Sequence, residues 1–457
     1  MLFSSFEFLF FFLPLSAAGY FLCPLKLRNG WLLLVSLIFY GFGEPVYVFL
    51  MIVTVVADYL FGLAIERTAS RKKLWLWLSV AFNLSLLGFF KYYGFFSSLF
   101  SLPKIDVPLP IGISFYTFQA LSYVIDVYRE QVSAEKNIVS FGAYVTLFPQ
   151  LIAGPIVKYS DVSMELAHRK HTAADIADGI ARFSAGLSKK AILANGAGEL
   201  SDKLFARGDS SGALWLGLIL YAFQIYYDFS GYSDMAIGLG KIFGFRFPEN
   251  FNYPYISKSI TEFWRRWHIT LSSWFREYLY IPLGGNRKGK PRTYLNLFIV
   301  WSLTGLWHGA ALNFILWGIY FFVLLVLEKA FLGRLLERLP RALRHAYALF
   351  FILIGWLIFS ADSISIAQLL ERASGLFGVG APIADGESLY LLLRNLPFVL
   401  IMAVGATPVP KRIFGLLTSK YHAITLCLKG ILTVGGILLS VAYIAGADYN
   451  PFLYFRF

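Results

Sequence analysis

Charged side chains are scarce in this chain: Asp, Glu, Lys and Arg make up 15% of its 457 residues, against about 25% in an average soluble protein. Hydrophobic residues make up 58%, and the mean hydropathy is +0.63. This balance excludes a soluble globular enzyme and a disordered protein. Cysteine is almost absent as well. Because Cys23 and Cys427 lie far apart in apolar surroundings, we expect neither a disulfide framework nor a cysteine metal site.

Acidic residues are the rarer charged type, 27 against 40 Lys and Arg, which gives a net charge of +13. In a soluble protein such a surplus suggests nucleic acid. Here the basic residues flank apolar segments, as they do in the cytoplasmic loops of membrane proteins. The sequence has no H-E-x-x-H, Walker A or Rossmann pattern and no Cys/His cluster. We therefore expect no nucleic-acid partner and no metal, whereas membrane lipid is an expected partner.

The apolar segments predict an all-α, polytopic integral membrane protein. A transmembrane helix needs about 20 apolar residues, and about nine to twelve such segments are present. The positions of basic residues place the N-terminus and the C-terminus outside the cytoplasm. The spans predicted in the first and last thirds of the chain are residues 2–23, 31–43, 46–65, 74–90, 109–127, 346–359, 389–409 and 424–444.

The middle of the chain is less regular. Residues 148–156 are short and broken by Pro149, Gly154 and Pro155, which predicts a re-entrant or buried irregular segment. Residues 168–190 predict a cytoplasmic surface helix that ends in Lys189-Lys190, before the long apolar run 213–243. A G-x-S-x-G match at 208–212 lacks a preceding strand, so we predict a loop there and no nucleophile.

Residues 259–280 (SITEFWRRWHITLSSWFREYLY) separate on a helical wheel into an aromatic face and a charged face. Arg265 and Arg266 lie on the charged face, and His268 lies at the edge of the aromatic face. Composition alone favours a helix in the membrane interface, with its arginines reaching lipid phosphates. The alternative is a helix that points His268 inward to a site.

Residues 296–327 are flanked by basic residues on both sides, so both ends belong in the cytoplasm. The stretch is too short for two full spans, which predicts two short helices broken at 304–309 and places His308 deep in the protein. A neutral imidazole there suits a general base for a hydroxyl nucleophile. A hydrogen-bonded structural histidine is the alternative. Asn313 either orients His308, binds substrate or bonds between helices.

Two further groups of polar residues are candidates for binding. Asp228 and Asp234 lie within the apolar run 213–243, where buried carboxylates need partners, so they either support the helices or pair with the histidines or arginines of a site. The turn 284–290 contains Arg287 and Lys288. Its glycines leave backbone N–H groups accessible to phosphates of a donor such as coenzyme A, although a loop on anionic lipid has the same composition.

Short motifs along the whole chain carry a family resemblance. They are Pro110–Tyr116 (PIGISFY), Gly154-Pro155, Asp228–Asp234 (DFSGYSD), Phe263–His268 (FWRRWH), Leu283–Asn286 (LGGN), Leu306–Gly309 (LWHG) and Asn450–Phe457 (NPFLYFRF). In this order they closely resemble the membrane-bound O-acyltransferase family, in particular its bacterial alginate O-acetyltransferase type. The resemblance implies one membrane domain, 1–457, in which helices ring a central tunnel. Its expected parts are N-terminal spans in 1–130, a catalytic core in 148–345, and C-terminal spans with an external tail in 346–457.

The resemblance also implies roles for single residues. His308 matches the family's catalytic histidine, as general base or orienter of the acceptor hydroxyl, and His268 matches a second histidine that supports catalysis or binds the donor. Tyr454 lies in a motif that resembles the end of a small subunit thought to carry the acyl group, so it is either an acyl carrier or an aromatic anchor. The lower-ranked binding candidates are Asn313, Arg265, Arg266, Arg287, Lys288, Asp228 and Asp234.

The implied activity is O-acetyl transfer from cytoplasmic acetyl-CoA, a substrate and not a bound cofactor, to an extracytoplasmic polysaccharide such as alginate or a cell-wall polymer. An external SGNH-type transferase or esterase-like partner is expected to complete the transfer. The expected location is the bacterial cytoplasmic membrane. The alternatives are transfer of D-alanyl or another acyl group from a carrier protein, and a proton-coupled transporter, against which the lack of an inverted repeat argues.

Overall fold

The computed structural model describes residues 1–101, 103, 105, 108–208, 210–361 and 364–446. Within these ranges the regular structure is helical and no strand occurs, which confirms the predicted all-α class. The α-helices are Leu13–Leu22, Arg28–Gly43, Tyr47–Arg67, Lys72–Leu87, Tyr93–Leu99, Ile113–Tyr128, Ile138–Thr146, Phe148–Leu151, Tyr159–Ala167, Ala173–Ser188, Asn195–Arg207, Ser211–Ile242, Ile260–Trp264, Ile269–Phe275, Gly289–His308, Leu312–Leu327, Gly333–Arg338, Arg341–Phe359, Ile366–Gly375, Gly386–Gly405, Val409–Lys420 and His422–Gly446.

Six helices in the described ranges are long and apolar enough to cross a membrane, so the chain is a multi-pass membrane protein. They are Tyr47–Arg67, Ala69–Ser98, Leu312–Arg338, Arg341–Phe359, Gly386–Gly405 and His422–Gly446. The spans predicted at 46–65, 74–90, 346–359, 389–409 and 424–444 each correspond to one of them. The predicted span 109–127 overlaps the shorter helix Ile113–Tyr128, which is buried along most of its length.

The chain divides into two compact units, of which the first comprises Met1–Leu187 and Tyr232–Glu249. Four phenylalanines form part of its core, with ring centroids 5.2–6.2 Å apart: Phe8, Phe12, Phe39 and Phe148. Residues 148–156 contain a single helical turn, Phe148–Leu151, and all are buried. This confirms the predicted irregular segment sheltered by protein.

The second unit comprises Ser188–Gly231 and Asn250–Phe457. The long helix Ser211–Ile242 begins in this unit and is continuous through its small residues. Large aromatic side chains dominate the core of the second unit. Trp267 packs on Trp356 with ring centroids 4.8 Å apart, and Trp317 packs on Phe359 at 5.3 Å.

The surface helix predicted for residues 168–190 is wrong at its C-terminal end. Helix Ala173–Ser188 continues through the π-helical turn Lys189–Ala194 into Asn195–Arg207. Lys190 is buried, and its Nζ lies 2.7 Å from Oδ1 of Asp228. Because a buried carboxylate compensates its charge, this lysine does not have to end the helix at a solvated surface.

Candidate active site

The candidate site is built on a helical hairpin, Gly289–His308 and Leu312–Leu327, which reverses at residues 309–311. The predicted reversal is confirmed, but the break lies at residues 309–311 and not at 304–309, because residues 304–308 still belong to the first helix. The prediction of two short helices is wrong, since the first helix has 20 residues and the helical stretch Leu312–Arg338 has 27. Two glycines let the helices approach closely. A Cβ atom at Gly305 would lie 2.3 Å from the carbonyl oxygen of Phe314, and one at Gly318 would lie 2.4 Å from that of Trp301. Since only glycine fits at these positions, the hairpin geometry follows from the sequence.

His308 is the last residue of its helix and is buried, with 7% of its surface exposed. Its ring contacts Trp307, Trp317 and Phe359 at centroid distances of 4.9, 5.0 and 5.2 Å. At the C-terminal end of a helix, the partial negative charge of the carbonyl groups stabilises a protonated imidazole. The position therefore suits a group that accepts a proton during a reaction.

Residues 259–280 do not form one helix, so the predicted continuous interfacial helix is wrong. Helix Ile260–Trp264 ends, and Ile269–Phe275 begins only after His268. His268 has φ 45° and ψ 55°, the left-handed conformation that non-glycine residues rarely adopt. This turn buries His268, which is 2% exposed. Strained backbone of this kind occurs preferentially at functional sites.

Asn250 holds the His268 turn in place, and it was not among the residues predicted from the sequence. Its backbone carbonyl accepts a hydrogen bond from Ile269 N at 3.0 Å. Its side-chain Oδ1 accepts from Thr270 N at 3.3 Å and Thr270 Oγ1 at 3.0 Å, and lies 3.0 Å from His268 Nδ1. Since Oδ1 is an acceptor, Nδ1 of His268 donates and the ring lone pair is on Nε2.

The environment of His268 keeps its imidazole neutral. The residue lies outside the six candidate spans, and burial lowers its pKa to about 3. The ring of Phe229 packs against it at 4.7 Å. Trp307 lies 5.9 Å from the His268 ring and 4.9 Å from the His308 ring. The structure therefore brings both predicted histidines into contact with one tryptophan.

Glu328 is a second residue of the site that was not predicted from the sequence. Its buried carboxylate accepts hydrogen bonds from Ile260 N at 2.6 Å, Thr261 N at 2.8 Å and Thr261 Oγ1 at 2.6 Å. Negative charge at a helix N-terminus is stabilising. Glu328 directly follows the second helix of the hairpin. It therefore ties the hairpin that carries His308 to the start of the segment that carries His268.

The structure gives each candidate aspartate a cationic partner that the sequence did not identify. Asp228 pairs with Lys190 in the second unit. Asp234, in the first unit, lies 2.6 Å from Nη2 of Arg182, which is also 2.6 Å from Oε2 of Glu249. These pairs match the supporting role left open for the aspartates. Asp228 also directly precedes Phe229, which contacts His268.

The other candidate binding residues either form contacts with nearby protein groups or are exposed. Asn313 donates through Nδ2 to the carbonyl of Phe359 at 3.2 Å, which bonds the hairpin to helix Arg341–Phe359. Arg266 pairs with Glu262 at 2.9 Å, whereas Arg265 is exposed. Arg287 and Lys288 are exposed in the glycine turn. Tyr454 lies outside the described residues. Among the residues that the structure describes, no cluster of three metal-ligating side chains occurs.

Comparison with known proteins identifies the family of the chain. Residues 127–369 match the membrane-bound O-acyltransferase family. The chain is 45% identical over 393 residues to the probable alginate O-acetylase AlgI of Azotobacter vinelandii, covering 83% of this chain and 79% of that protein. It is 40% identical to the probable alginate O-acetylase AlgI of Pseudomonas putida over 490 residues and 100% of both chains. It is 34% identical to the peptidoglycan O-acetyltransferase of Helicobacter pylori over 519 residues, 100% of this chain and 98% of that protein. The chain therefore belongs to the membrane-bound O-acyltransferase family and is an acyltransferase.

Proposed function

We propose that this acyltransferase takes acetyl from cytoplasmic acetyl-CoA and passes it across the membrane for O-acetylation of an extracytoplasmic polysaccharide. The observation that carries the proposal is the buried pair His268 and His308, both in contact with Trp307. Relatives named as alginate O-acetylase and peptidoglycan O-acetyltransferase support O-acyl transfer to a polymer. The choice of acetyl as the acyl group is supported by a relative named as an O-acetylase that covers the whole chain. Acetyl-CoA as the donor is part of the proposal.

The chemistry requires a base. When a hydroxyl oxygen attacks the thioester carbonyl carbon, its proton must leave, and an unperturbed tyrosine hydroxyl has a pKa of about 10. In the proposed step His308 accepts that proton, and the C-terminal end of its helix stabilises the imidazolium. The C–S bond breaks, and the coenzyme A thiolate leaves and takes up a proton. His268, with its lone pair on Nε2, accepts a hydrogen bond from substrate.

The path of the acetyl group is proposed in two stages. Tyr454 receives acetyl first, and an external SGNH-type transferase then moves it to sugar hydroxyls. Arg265, Arg287 and Lys288 are exposed and cationic, which suits contact with the phosphates of coenzyme A. The proposal places the chain in the bacterial cytoplasmic membrane with both termini outside, as the distribution of basic residues indicates.

The test uses purified full-length protein in detergent with acetyl-labelled acetyl-CoA. Wild type is compared with His308→Ala, His268→Asn and Tyr454→Phe, and His422→Gln serves as an exposed histidine control. Asparagine is chosen at position 268 because it tolerates left-handed backbone. We expect one acetyl group on Tyr454 of wild type by intact mass and peptide mapping. His308→Ala should slow coenzyme A release by at least about 100-fold, and His422→Gln should leave it unchanged.

The outcomes separate the proposal from its alternatives. If coenzyme A release depends on His308 but no acetyl group is found on Tyr454, the enzyme assignment stands. Tyr454 is then an aromatic anchor and not an acyl carrier. A different result would be that acetyl-CoA is not turned over even with an added external partner, while an acylated carrier protein does transfer its acyl group. That result would make the carrier protein the donor in place of acetyl-CoA. Proton-coupled uptake or export without any acyl donor would support the transporter instead.

A further inference from the structure

A cluster of cationic side chains in the first unit surrounds Tyr20, which is fully buried near the end of helix Leu13–Leu22. Nη1 of Arg169 lies 3.2 Å from Tyr20 Oη, and Nε2 of His171 lies 2.9 Å from the same oxygen. The guanidinium carbon of Arg28 lies 4.8 Å from the centroid of the Tyr20 ring. We call Tyr20, Arg28, Arg169 and His171 the Tyr20 cluster.

The hydrogen bonds of the Tyr20 cluster define its protonation. Tyr20 Oη donates to the carbonyl of Phe243 at 2.8 Å, so this oxygen accepts from Arg169 and from Nε2–H of His171. Nδ1 of His171 then faces Nη1 of Arg28 as an acceptor at 3.4 Å. This leaves His171 neutral and two guanidinium groups charged. A Cβ atom at Gly244 would lie 2.7 Å from His171 Nε2, so the neighbouring backbone is closely fitted to the cluster.

In the described part of the chain, no carboxylate forms an ion pair with Arg28, Arg169 or His171. Glu165 and Asp175 are the acidic residues that act on the cluster electrostatically, and Arg169 Nε donates to the Glu165 backbone carbonyl at 2.8 Å. Burial, and after it the charge of Arg28, lowers the pKa of His171. The positive charges are therefore held together without compensation by a paired acid.

Both arginines keep hydrogen-bond donors for a ligand. Arg28 uses Nε toward the carbonyl of Cys23, at 3.4 Å, and Nη1 toward His171. Arg169 uses Nε and Nη1. Among the described residues, the Nη2 group of each arginine has no protein acceptor. A guanidinium group presents its donors in a fixed planar geometry that matches the oxygen atoms of a phosphate group.

The surroundings of the cluster indicate where that phosphate comes from. Leu22, Leu25 and Leu27 lie in the six residues before Arg28 and are 85%, 71% and 60% exposed. Exposed leucines beside uncompensated arginines are typical of a membrane interface, where side chains meet acyl chains and headgroups together. We propose that the Tyr20 cluster is a phosphate-binding site for an anionic phospholipid headgroup, with the exposed leucines against the lipid acyl chains.

The experiment uses full-length protein in detergent, mixed with equal amounts of phosphatidylglycerol and phosphatidylcholine and analysed by native mass spectrometry. We expect wild type to retain phosphatidylglycerol preferentially, because choline adds a cation that the arginines repel. Arg28→Gln and Arg169→Gln should each lower this retention by about fivefold, the effect of one cation near a membrane surface. Arg71→Gln, an exposed arginine in the same unit, is the matched control and should not change it.

Charge-retaining variants guard against loss of folding. Arg28→Lys and Arg169→Lys keep the charge but lose the planar donor geometry, so they should fold and show an intermediate loss of retention. A second arm measures competition by inorganic phosphate. If inorganic phosphate binds at the cluster and phosphatidylglycerol is not preferred over phosphatidylcholine, the proposal that the phosphate belongs to a lipid headgroup is overturned. Equal retention by wild type, the cluster variants and Arg71→Gln would overturn the site itself.

Discussion

The buried ion pair of Lys190 and Asp228 leads to the sharpest prediction for stability. The side chains are 3% and 4% exposed, with 2.7 Å between Nζ and Oδ1, and Lys190 Nζ also lies 3.1 Å from Asn195 Oδ1. Removing one partner of such a pair leaves the other charge buried, at a cost of about 3–5 kcal/mol. We therefore expect Lys190→Met and Asp228→Asn each to lower the free energy of unfolding by about that amount.

The double variant Lys190→Met/Asp228→Asn should behave differently, because it removes both charges at once. We expect it to be more stable than either single variant, so the two effects should not add. The exposed pair Lys203 and Glu199 is the matched control, with the same 2.7 Å separation and side chains 59% and 48% exposed. Lys203→Met should cost at most about 0.5 kcal/mol, since an exposed pair of this spacing contributes little.

Chemical unfolding in detergent, followed by tryptophan fluorescence, measures these effects, and coenzyme A release is measured beside it. Two results would refute the buried-pair argument. In the first, the single variants at positions 190 and 228 lose no more free energy of unfolding than Lys203→Met does. In the second, the double variant loses the sum of the two single losses. A double variant that is stable but releases no coenzyme A would show that the pair is needed for catalysis as well as for stability. A double variant that is both stable and active would show that Asp228 has a structural role only.

Three further predictions address the helical hairpin, the carboxylate of Glu328 that ties it to residues 260–261, and Ser210 in the G-x-S-x-G match. Gly305→Ala should lower thermal stability by about 1–3 kcal/mol through overpacking, whereas Gly430→Ala, with nothing near its Cβ position, should not; equal transition temperatures would contradict the close packing. Glu328→Ala should lower the free energy of unfolding by about 1.5–3 kcal/mol and should lower kcat, because charge-assisted hydrogen bonds from Ile260 and Thr261 are lost. Glu328→Gln should recover part of the stability and part of kcat. Ser210 Oγ caps helix Ser211–Ile242 through Ala213 N at 3.1 Å and bonds Asp385, so Ser210→Ala should lower stability by about 1 kcal/mol and leave coenzyme A release intact. Loss of release without loss of stability would make Ser210 a nucleophile.

Features with a local physical cause were predictable from the sequence. Five of the predicted spans correspond to candidate membrane helices because hydropathy over about 20 residues is a property of the segment itself. The hairpin break beside His308 was predictable for a similar reason. Basic residues at both ends of a short apolar stretch require the chain to reverse, and glycines at 305 and 309 permit it.

The predictions failed where residues distant in sequence determine local structure. On a helical wheel residues 259–280 form one amphipathic helix. In the structure, hydrogen bonds accepted by Asn250 and Glu328 hold two shorter helices with His268 at the break. Lys190 looked like a helix end at a surface, because the sequence does not show that Asp228 lies 2.7 Å from it.

The sequence by itself determined the all-α class, the membrane location, the family resemblance and the two histidines as candidates, because composition, periodicity and short motifs are local. Only the tertiary structure decided which partners those side chains have. It brought His268 against Trp307, the residue next to His308, paired Asp228 with Lys190 and surrounded Tyr20 with uncompensated arginines. Each of these contacts joins residues from separate helices or loops, and hydropathy and helical periodicity contain no information about which distant segments meet.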